Sequence, residues 1–317
     1  MPVDVMRRRG LAIVVASCTL PATAWAHAGE PLEPHDLWSA WTWSPAITIP
    51  LVITLALYLV GTRALWARAG RGHGVRGAQV AAFLAGWLAL VVALVSPLHA
   101  LGESLFSAHM AQHELLMTVA APLLVLGHPL VPALFALPAS SRRRASGWTK
   151  ALWFRQAWGV ITRPSVAFAL HAIAIWGWHI PSFYAATLDN DLIHTLQHLS
   201  FLGTALLFWW TVLRPGWAGR GIAMLSLFGT MLHTGALGAL LTVSASVWYK
   251  PYATTTAAWG LTPLADQQLG GLIMWIPGGI AYLVAALALL ANSLRESERR
   301  APRLGGATPV EATWGHA

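Results

Sequence analysis

Two pairs of histidines in this chain have a spacing that suits metal binding. His109 and His113 are four residues apart, and so are His194 and His198. If both segments are helical, the two rings of each pair lie on one face of a helix, one turn apart. Two imidazoles placed in this way can chelate one metal ion. The spacing therefore predicts a metal site to which both pairs contribute.

Three further side chains extend the donor set of this predicted site. His99 and His179 are expected near the ends of neighbouring segments, at a similar depth, and Met110 adds a thioether. Imidazole and thioether donors without a thiolate suit copper, with methionine favouring Cu(I), although zinc would also accept the imidazoles. Haem b is the other candidate cofactor, because it needs only one histidine from each of two facing helices.

The composition places these residues in a membrane. The chain of 317 residues is 56% apolar and only 10% charged, whereas soluble proteins carry about 25% charged residues. An ordinary soluble domain and a disordered chain are therefore excluded, and we expect an all-α polytopic membrane protein. The 18 tryptophans fit the membrane–water interface. The basic residues lie in loops between apolar segments, which indicates membrane topology rather than binding to nucleic acid.

Seven segments are apolar over about 20 residues, the length that crosses a bilayer. The predicted spans lie near residues 46–66, 78–98, 109–137, 165–181, 192–213, 221–244 and 268–292. The third span is long and contains Pro122, Pro129 and Pro132. Because proline removes a backbone donor and clashes with the preceding turn, we expect this helix to be kinked or broken.

Charges between the spans predict how the chain is oriented. Basic residues occupy the loops after spans 1, 3 and 5 and the C-terminal tail, whereas Lys250 alone lies in a loop on the opposite side. Since basic loops stay in the cytoplasm, we expect a bacterial inner-membrane protein with a periplasmic N-terminus and a cytoplasmic C-terminus. The candidate metal ligands then gather near the periplasmic face.

The first 26 residues have the layout of a cleaved signal peptide. Arginines at 7–9 precede an apolar run at 11–20, and a small-x-small site follows at 24–26. Cleavage there would make His27 the N-terminus, whose amine and imidazole suit Cu(II). A lipoprotein-like cleavage before Cys18, the only cysteine, is the alternative. The rest is expected to comprise a periplasmic segment (27–45), a transmembrane domain (46–293) and a cytoplasmic tail (294–317).

Several other residues are interpreted as structural. His171 and His233 lie deeper in the predicted spans and are expected to hydrogen-bond between helices. Asp266 is expected to cap the last span. Close helix contact is predicted by glycines at 235 and 238 in the sixth span and at 270, 271, 278 and 279 in the seventh. No Ser/His/Asp arrangement or zinc-protease motif is visible, so we do not expect an enzyme.

Four blocks of the sequence resemble one known family. The first block is residues 109–116 (HMAQHELL) and continues to Gly127, and the second is residues 176–184 (WGWHIPSFY). The third block is residues 194–198 (HTLQH) and continues to residues 208–210. The fourth block is residues 266–278 (DQQLGGLIMWIPG). The chain resembles the seven-helix CtaG family of caa-type cytochrome c oxidase assembly factors. The matching polar positions are His109, His113, His179, His194, His198 and Asp266. Metal ligation by the histidines is inferred from their spacing and not from the family.

The resemblance implies a bacterial inner-membrane factor that helps to assemble a haem–copper oxidase in the respiratory chain. A role in copper handling is suspected for such proteins, which would make oxidase subunits and a periplasmic copper donor the partners. Two alternatives remain open. The chain could be a membrane redox protein that holds haem b, or a metal-free scaffold in which the histidines only join helices.

Overall fold

The computed structural model describes residues 32–214 and 219–300 of the chain. In these ranges the regular structure is helical and no strand is present, which confirms the predicted all-α class. The predicted signal peptide, with Cys18, and the possible N-terminal residue His27 lie outside the described residues, as does most of the predicted cytoplasmic tail.

The order of the helices follows the order of the apolar segments. In the described ranges the α-helices are α1 (Pro45–Ala69), α2 (Gly77–Leu94), α3 (Pro97–Ser104), α4 (Phe106–Leu126), α5 (Leu130–Ala136), α6 (Ala139–Lys150), α7 (Leu152–Ile161), α8 (Pro164–Trp178), α9 (Pro181–Asp189), α10 (Asp191–Leu213), α11 (Gly219–Val243) and α12 (Pro263–Arg300). Short 3-10 turns occupy Leu37–Ser39, Lys250–Thr254 and Thr256–Trp259.

Five of these helices are long and apolar enough to cross a membrane alone, namely α1, α2, α10, α11 and α12. Two further spans exist if each of two pairs of consecutive helices is counted as one bent span. The chain bends by 61° between α4 and α5 and by 65° between α7 and α8. The described residues therefore provide five to seven candidate spans. The predicted number of seven is the upper limit of this range and stays a prediction.

The break in the third predicted span follows from its local sequence. His128 has a positive φ of 53° directly after α4, and Pro129 precedes the first residue of α5. Earlier in α4, Leu115–Ala120 form a π-helical turn ahead of Pro122. Because proline offers no N–H to the carbonyl four residues before it, the hydrogen-bond ladder is displaced there. The π turn begins two residues after His113, directly after the segment predicted to bind metal.

Helices α11 and α12 approach each other closely at two of the predicted glycines. A Cβ added at Gly238 would lie 2.7 Å from the carbonyl oxygen of Gly271, and a Cβ added at Gly271 would lie 2.6 Å from that of Gly238. The contact predicted for this helix pair is thus present at these two positions. Gly235 has only ordinary contact with Trp275 at 3.5 Å, and Gly270 makes room for the ring of Phe106 instead.

Helix α10 lies at the centre of the larger hydrophobic core. Phe201, Ala205, Phe208 and Val212 recur on one face of this helix and are completely buried. The indole of Trp209 donates a hydrogen bond to the carbonyl oxygen of Met117 in the π-helical turn, at 2.8 Å. The opposite face of α10 carries exposed leucines at 192, 196 and 199, which suits contact with lipid. Packing against α4 thus fixes the rotation of α10.

Candidate metal centre

The start of α4, which carries one histidine pair, is held by a carboxylate from α12. Asp266 is fully buried and accepts hydrogen bonds from the backbone N–H groups of Phe106 (2.6 Å) and Ser107 (3.1 Å). The Ser107 hydroxyl donates to the same carboxylate. The first N–H groups of a helix have no partner within that helix, so Asp266 caps α4. The prediction that Asp266 caps its own helix is therefore wrong, because Thr262 accepts from the N–H of Ala265 there.

The start of α10, which carries the other pair, is capped within the local sequence. The side-chain oxygen of Asn190 accepts hydrogen bonds from the N–H groups of Leu192 (2.9 Å) and Ile193 (3.1 Å). This cap fixes where the helix begins and places His194 in its first turn and His198 in its second. Both histidine-bearing helices therefore begin at defined positions on the same side of the helix assembly.

Five histidines converge between α3, α4 and α10, and we call them the His cluster: His99, His109, His113, His194 and His198. The ring centroids within the two predicted pairs are 4.3 Å apart in α4 and 4.4 Å apart in α10. Between helices, His109 lies 5.1 Å from His194, His113 lies 5.2 Å from His198, and His99 lies 5.4 Å from His194. The two pairs thus face each other, and His99 from α3 joins them.

The His cluster contains two sets of three rings in which one nitrogen from each ring lies within 4.8 Å of the chosen nitrogens of the other two. The outer triad consists of His99, His194 and His198, and the inner triad consists of His109, His113 and His198. Three neutral imidazoles at this separation suit a small cation such as copper or zinc. His198 belongs to both triads.

Several ring nitrogens of the His cluster are buried without a hydrogen-bond partner among the described residues. Both nitrogens of His113 are in this state, and so are the Nε2 atoms of His194 and His198. A buried polar atom left unpaired costs about 1–3 kcal/mol, so most such atoms in folded proteins are paired. A metal ion would use these lone pairs, and the donor set therefore fits an ion.

Two glutamines hold the remaining rings of the His cluster. The amide of Gln112 donates to Nδ1 of His99 at 2.9 Å and to the carbonyl of Ala93 at 2.7 Å. Gln197 contacts Nε2 of His109 at 3.2 Å. Neither glutamine was predicted as part of the site. The signal was present, however, because residues 109–113 (HMAQH) and 194–198 (HTLQH) share the pattern H-x-x-Q-H.

His179 and Met110, both predicted ligands, lie beside the His cluster rather than in it. Nδ1 of His179 donates to the carbonyl of Ile175 at 2.6 Å, since a carbonyl oxygen can only accept. Its Nε2 atom therefore carries a lone pair and faces the Met110 sulfur at 3.4 Å. The centroid of the Phe201 ring lies 6.3 Å from that of His179 and 4.6 Å from that of His113. A soft cation could use this nitrogen and this sulfur together.

The outer edge of the His cluster is electrostatically suited to a cation. Burial lowers the pKa of His99 below its ordinary value, and the carboxylate of Asp191 partly opposes this effect. At neutral pH the ring of His99 is therefore uncharged, so that one of its nitrogens carries a lone pair that a metal ion can use. Asp191 and Glu103 are both exposed. Their negative charges raise the local concentration of cations at the edge of the site.

The deeper histidines belong to a different part of the molecule. Nδ1 of His171 contacts the Thr204 hydroxyl at 3.0 Å, and Nδ1 of His233 accepts from the Trp176 indole at 3.3 Å. Both contacts join neighbouring helices, as predicted, and neither residue is part of a triad. Glu114, which follows His113, directs its carboxylate toward Gly278 of α12.

Fold and site together define a polytopic helical membrane protein with a buried polyhistidine cluster. Residues 56–296 match the family described as cytochrome c oxidase caa3 assembly factor (Caa3_CtaG). The chain belongs to this family, which confirms the resemblance noted in the sequence.

Three mycobacterial proteins are similar to this chain. Uncharacterized proteins of Mycobacterium bovis and Mycobacterium tuberculosis are each 29% identical over 276 residues, which is 84% of this chain and 41% of theirs. An uncharacterized protein of Mycobacterium leprae is 27% identical over 233 residues, 71% of this chain and 35% of its own length. The chain thus spans less than half the length of these relatives. No solved structure matches the chain significantly.

Proposed function

We propose that this protein assists the assembly of a cytochrome c oxidase in the bacterial inner membrane by binding copper at the His cluster. Support for the assembly role comes from the family to which the chain belongs. Support for copper comes from the imidazoles of the His cluster, which suit copper, and from the thioether of Met110 beside it, which favours Cu(I). The role is binding and delivery rather than catalysis. An oxidase subunit is the client and a periplasmic protein is the copper donor.

One observation carries the copper proposal. His113 is 1% exposed, and neither of its nitrogens has a hydrogen-bond partner among the described residues. A ring that only joined helices would be expected to pair at least one nitrogen, as His171 and His233 do. The unpaired nitrogens therefore favour a metal site over the metal-free scaffold.

Haem b fits the site less well than a single ion does. The five rings of the His cluster pack directly against one another, with neighbouring centroids only 4.3–5.4 Å apart. A porphyrin coordinated by two of these rings would have to displace the other three. A metal ion needs only small rotations of the rings that are already present.

The proposed orientation puts the His cluster near the periplasmic face. It depends on the basic loops, such as the one that contains Arg142, Arg143 and Arg144, lying in the cytoplasm. A periplasmic opening would let the site receive copper from outside the cell and pass it to an oxidase subunit in the same membrane.

The experiment is a metal count on the purified full-length chain. We expect wild-type protein loaded with copper to retain about one ion per chain, because the triads share a ligand. The variant with alanine at His109, His113, His194 and His198 should lose it, while His171→Ala, a buried histidine outside the triads, should keep it. Equal copper content in the wild type and the fourfold variant would refute the proposal. A reducible Soret band in the visible spectrum would indicate haem instead.

A further inference from the structure

The outer and inner triads differ in their access to solvent. His99, His194 and His198 are each 8% exposed, whereas His109 is 0% and His113 is 1% exposed. All five rings are buried, but the outer triad lies nearer the surface, beside the exposed carboxylates of Asp191 and Glu103, and His109 and His113 lie deeper. The two triads form a short path from solvent to core, with His198 as the ring that belongs to both.

The shared ring argues against two ions bound at the same time. Nε2 of His198 is buried without a partner, and a neutral imidazole has only one lone pair, which serves one ion. A second ion would need a deprotonated, bridging ring and would bring two cations within a few ångströms of each other in a buried region. Uncompensated charge in such a region is strongly unfavourable. A single ion therefore suits this cluster better than a pair.

Each triad also contains one ring that an amide holds when no ion is bound there. Nδ1 of His99 accepts a hydrogen bond from Gln112. A neutral imidazole has only one lone pair, so that His99 loses this hydrogen bond when either of its nitrogens binds a metal ion. His109 is held in the opposite sense, because the Oε1 atom of Gln197 accepts from its Nε2 atom at 3.2 Å, and its Nδ1 atom contacts the Gly102 carbonyl and the Tyr252 hydroxyl, each at 3.2 Å. The other ligands, His113, His194 and His198, each have an unpaired Nε2 atom. Each triad therefore has one ring that a glutamine holds and two rings with an unpaired Nε2 atom.

We propose that the His cluster carries one copper ion between two alternative positions, the outer and the inner triad. This inference rests on the proposed function. The bonds from copper to His99 and His194 break, bonds to His109 and His113 form, and the bond to His198 persists. The ion stays Cu(I), so that no electron is transferred and no free ion is released. Gln112 then rebinds the vacated His99, and Gln197 rebinds His109 when the ion returns.

The test uses the full-length chain in lipid nanodiscs, loaded with Cu(I) under a reductant and titrated against a water-soluble chromophoric Cu(I) chelator. One double variant, His99→Ala with His194→Ala, removes the outer triad. Another, His109→Ala with His113→Ala, removes the inner triad. His198→Ala removes the shared ligand, and His171→Ala is the matched control.

We expect one ion per chain in the wild type, in the control and in both double variants. Each double variant should bind with an affinity within ~10-fold of wild type, because one complete triad remains. His198→Ala should weaken copper binding ~100-fold or more. The loss of a residue that only hydrogen-bonds to a metal ligand already costs up to ~100-fold in affinity, and His198 is a direct ligand of both triads. Loading should be slowed ~10-fold without the outer triad, because the route from solvent loses its first ligands.

Several outcomes would overturn this inference and leave the proposed function intact. Two ions in the wild type would show two separate sites, and loss of the ion from both double variants would show a single five-ligand site. A wild type that binds no copper would instead refute the proposed function itself. The kinetics of copper loading test the inference in the wild type alone. Exchange of the ion between the triads requires a second kinetic phase whose rate does not depend on copper concentration. A single phase whose rate depends on copper concentration would exclude this exchange.

Discussion

Replacing His198 by leucine is expected to stabilise the metal-free protein and, at the same time, to lower its affinity for copper ~100-fold. In the metal-free state the Nε2 atom of this ring is buried without a partner among the described residues. An apolar side chain of similar size removes this unpaired polar atom, which costs about 1–3 kcal/mol. In the copper-loaded state the same substitution removes the ligand that both triads share.

The measurement is thermal unfolding in detergent with and without Cu(I), together with a copper titration. A ligand that binds only the folded state adds about 2.7 kcal/mol at a concentration 100 times its Kd. Copper should therefore raise the unfolding temperature of the wild type much more than that of His198→Leu. His171→Leu is the matched control and should leave copper affinity unchanged. If His198→Leu destabilised the metal-free protein and kept copper affinity, His198 would be a packing residue.

Replacing Gly238 by alanine is expected to destabilise the protein by about 1–3 kcal/mol, because the new methyl group has no space. Its Cβ would lie 2.7 Å from the Gly271 carbonyl oxygen and 2.8 Å from the backbone nitrogen of Trp275. These are backbone atoms, so that α11 and α12 must move apart. Helix α12 also carries Asp266, which caps α4, and a shift of α12 should therefore disturb the His cluster as well.

Gly235→Ala is the matched control for this prediction. It lies one turn earlier in α11, and its added Cβ would meet only Trp275, at an ordinary 3.5 Å. Since alanine favours helix by about 1 kcal/mol over glycine, this variant should be as stable as the wild type or more so. Apparent unfolding temperatures of the two variants in the same detergent provide the comparison. Equal stability of the two variants would mean that the close helix contact does not matter.

The sequence carried much of the site because helical periodicity and membrane topology are local properties. The spacing of His109 and His113, and of His194 and His198, placed each pair on one helix face. The apolar segments placed both pairs at one depth. What these patterns could not supply was the rotation of each helix, which depends on packing such as that of Phe201 and Trp209.

The predictions that differ from the structure involve partners that are distant in the sequence. Asp266 caps a helix that begins 160 residues before it, and local sequence could only suggest its own helix. His179 contacts Met110 at 3.4 Å and belongs to neither triad, an arrangement that depends on helix rotation, and its predicted role as a ligand stays a prediction. The glutamines of the H-x-x-Q-H segments did not stand out from the sequence because an uncharged amide is not a usual ligand of copper or zinc.

X-ray absorption at the copper edge of Cu(I)-loaded full-length protein is the most direct test of the central claim, that the His cluster binds copper through its imidazoles. We expect about three nitrogen neighbours at about 2.0 Å, a typical imidazole distance, with the multiple scattering of imidazole rings. Both features should disappear in the variant with alanine at His109, His113, His194 and His198. A copper environment without imidazole scattering, or one unchanged in that variant, would contradict the account.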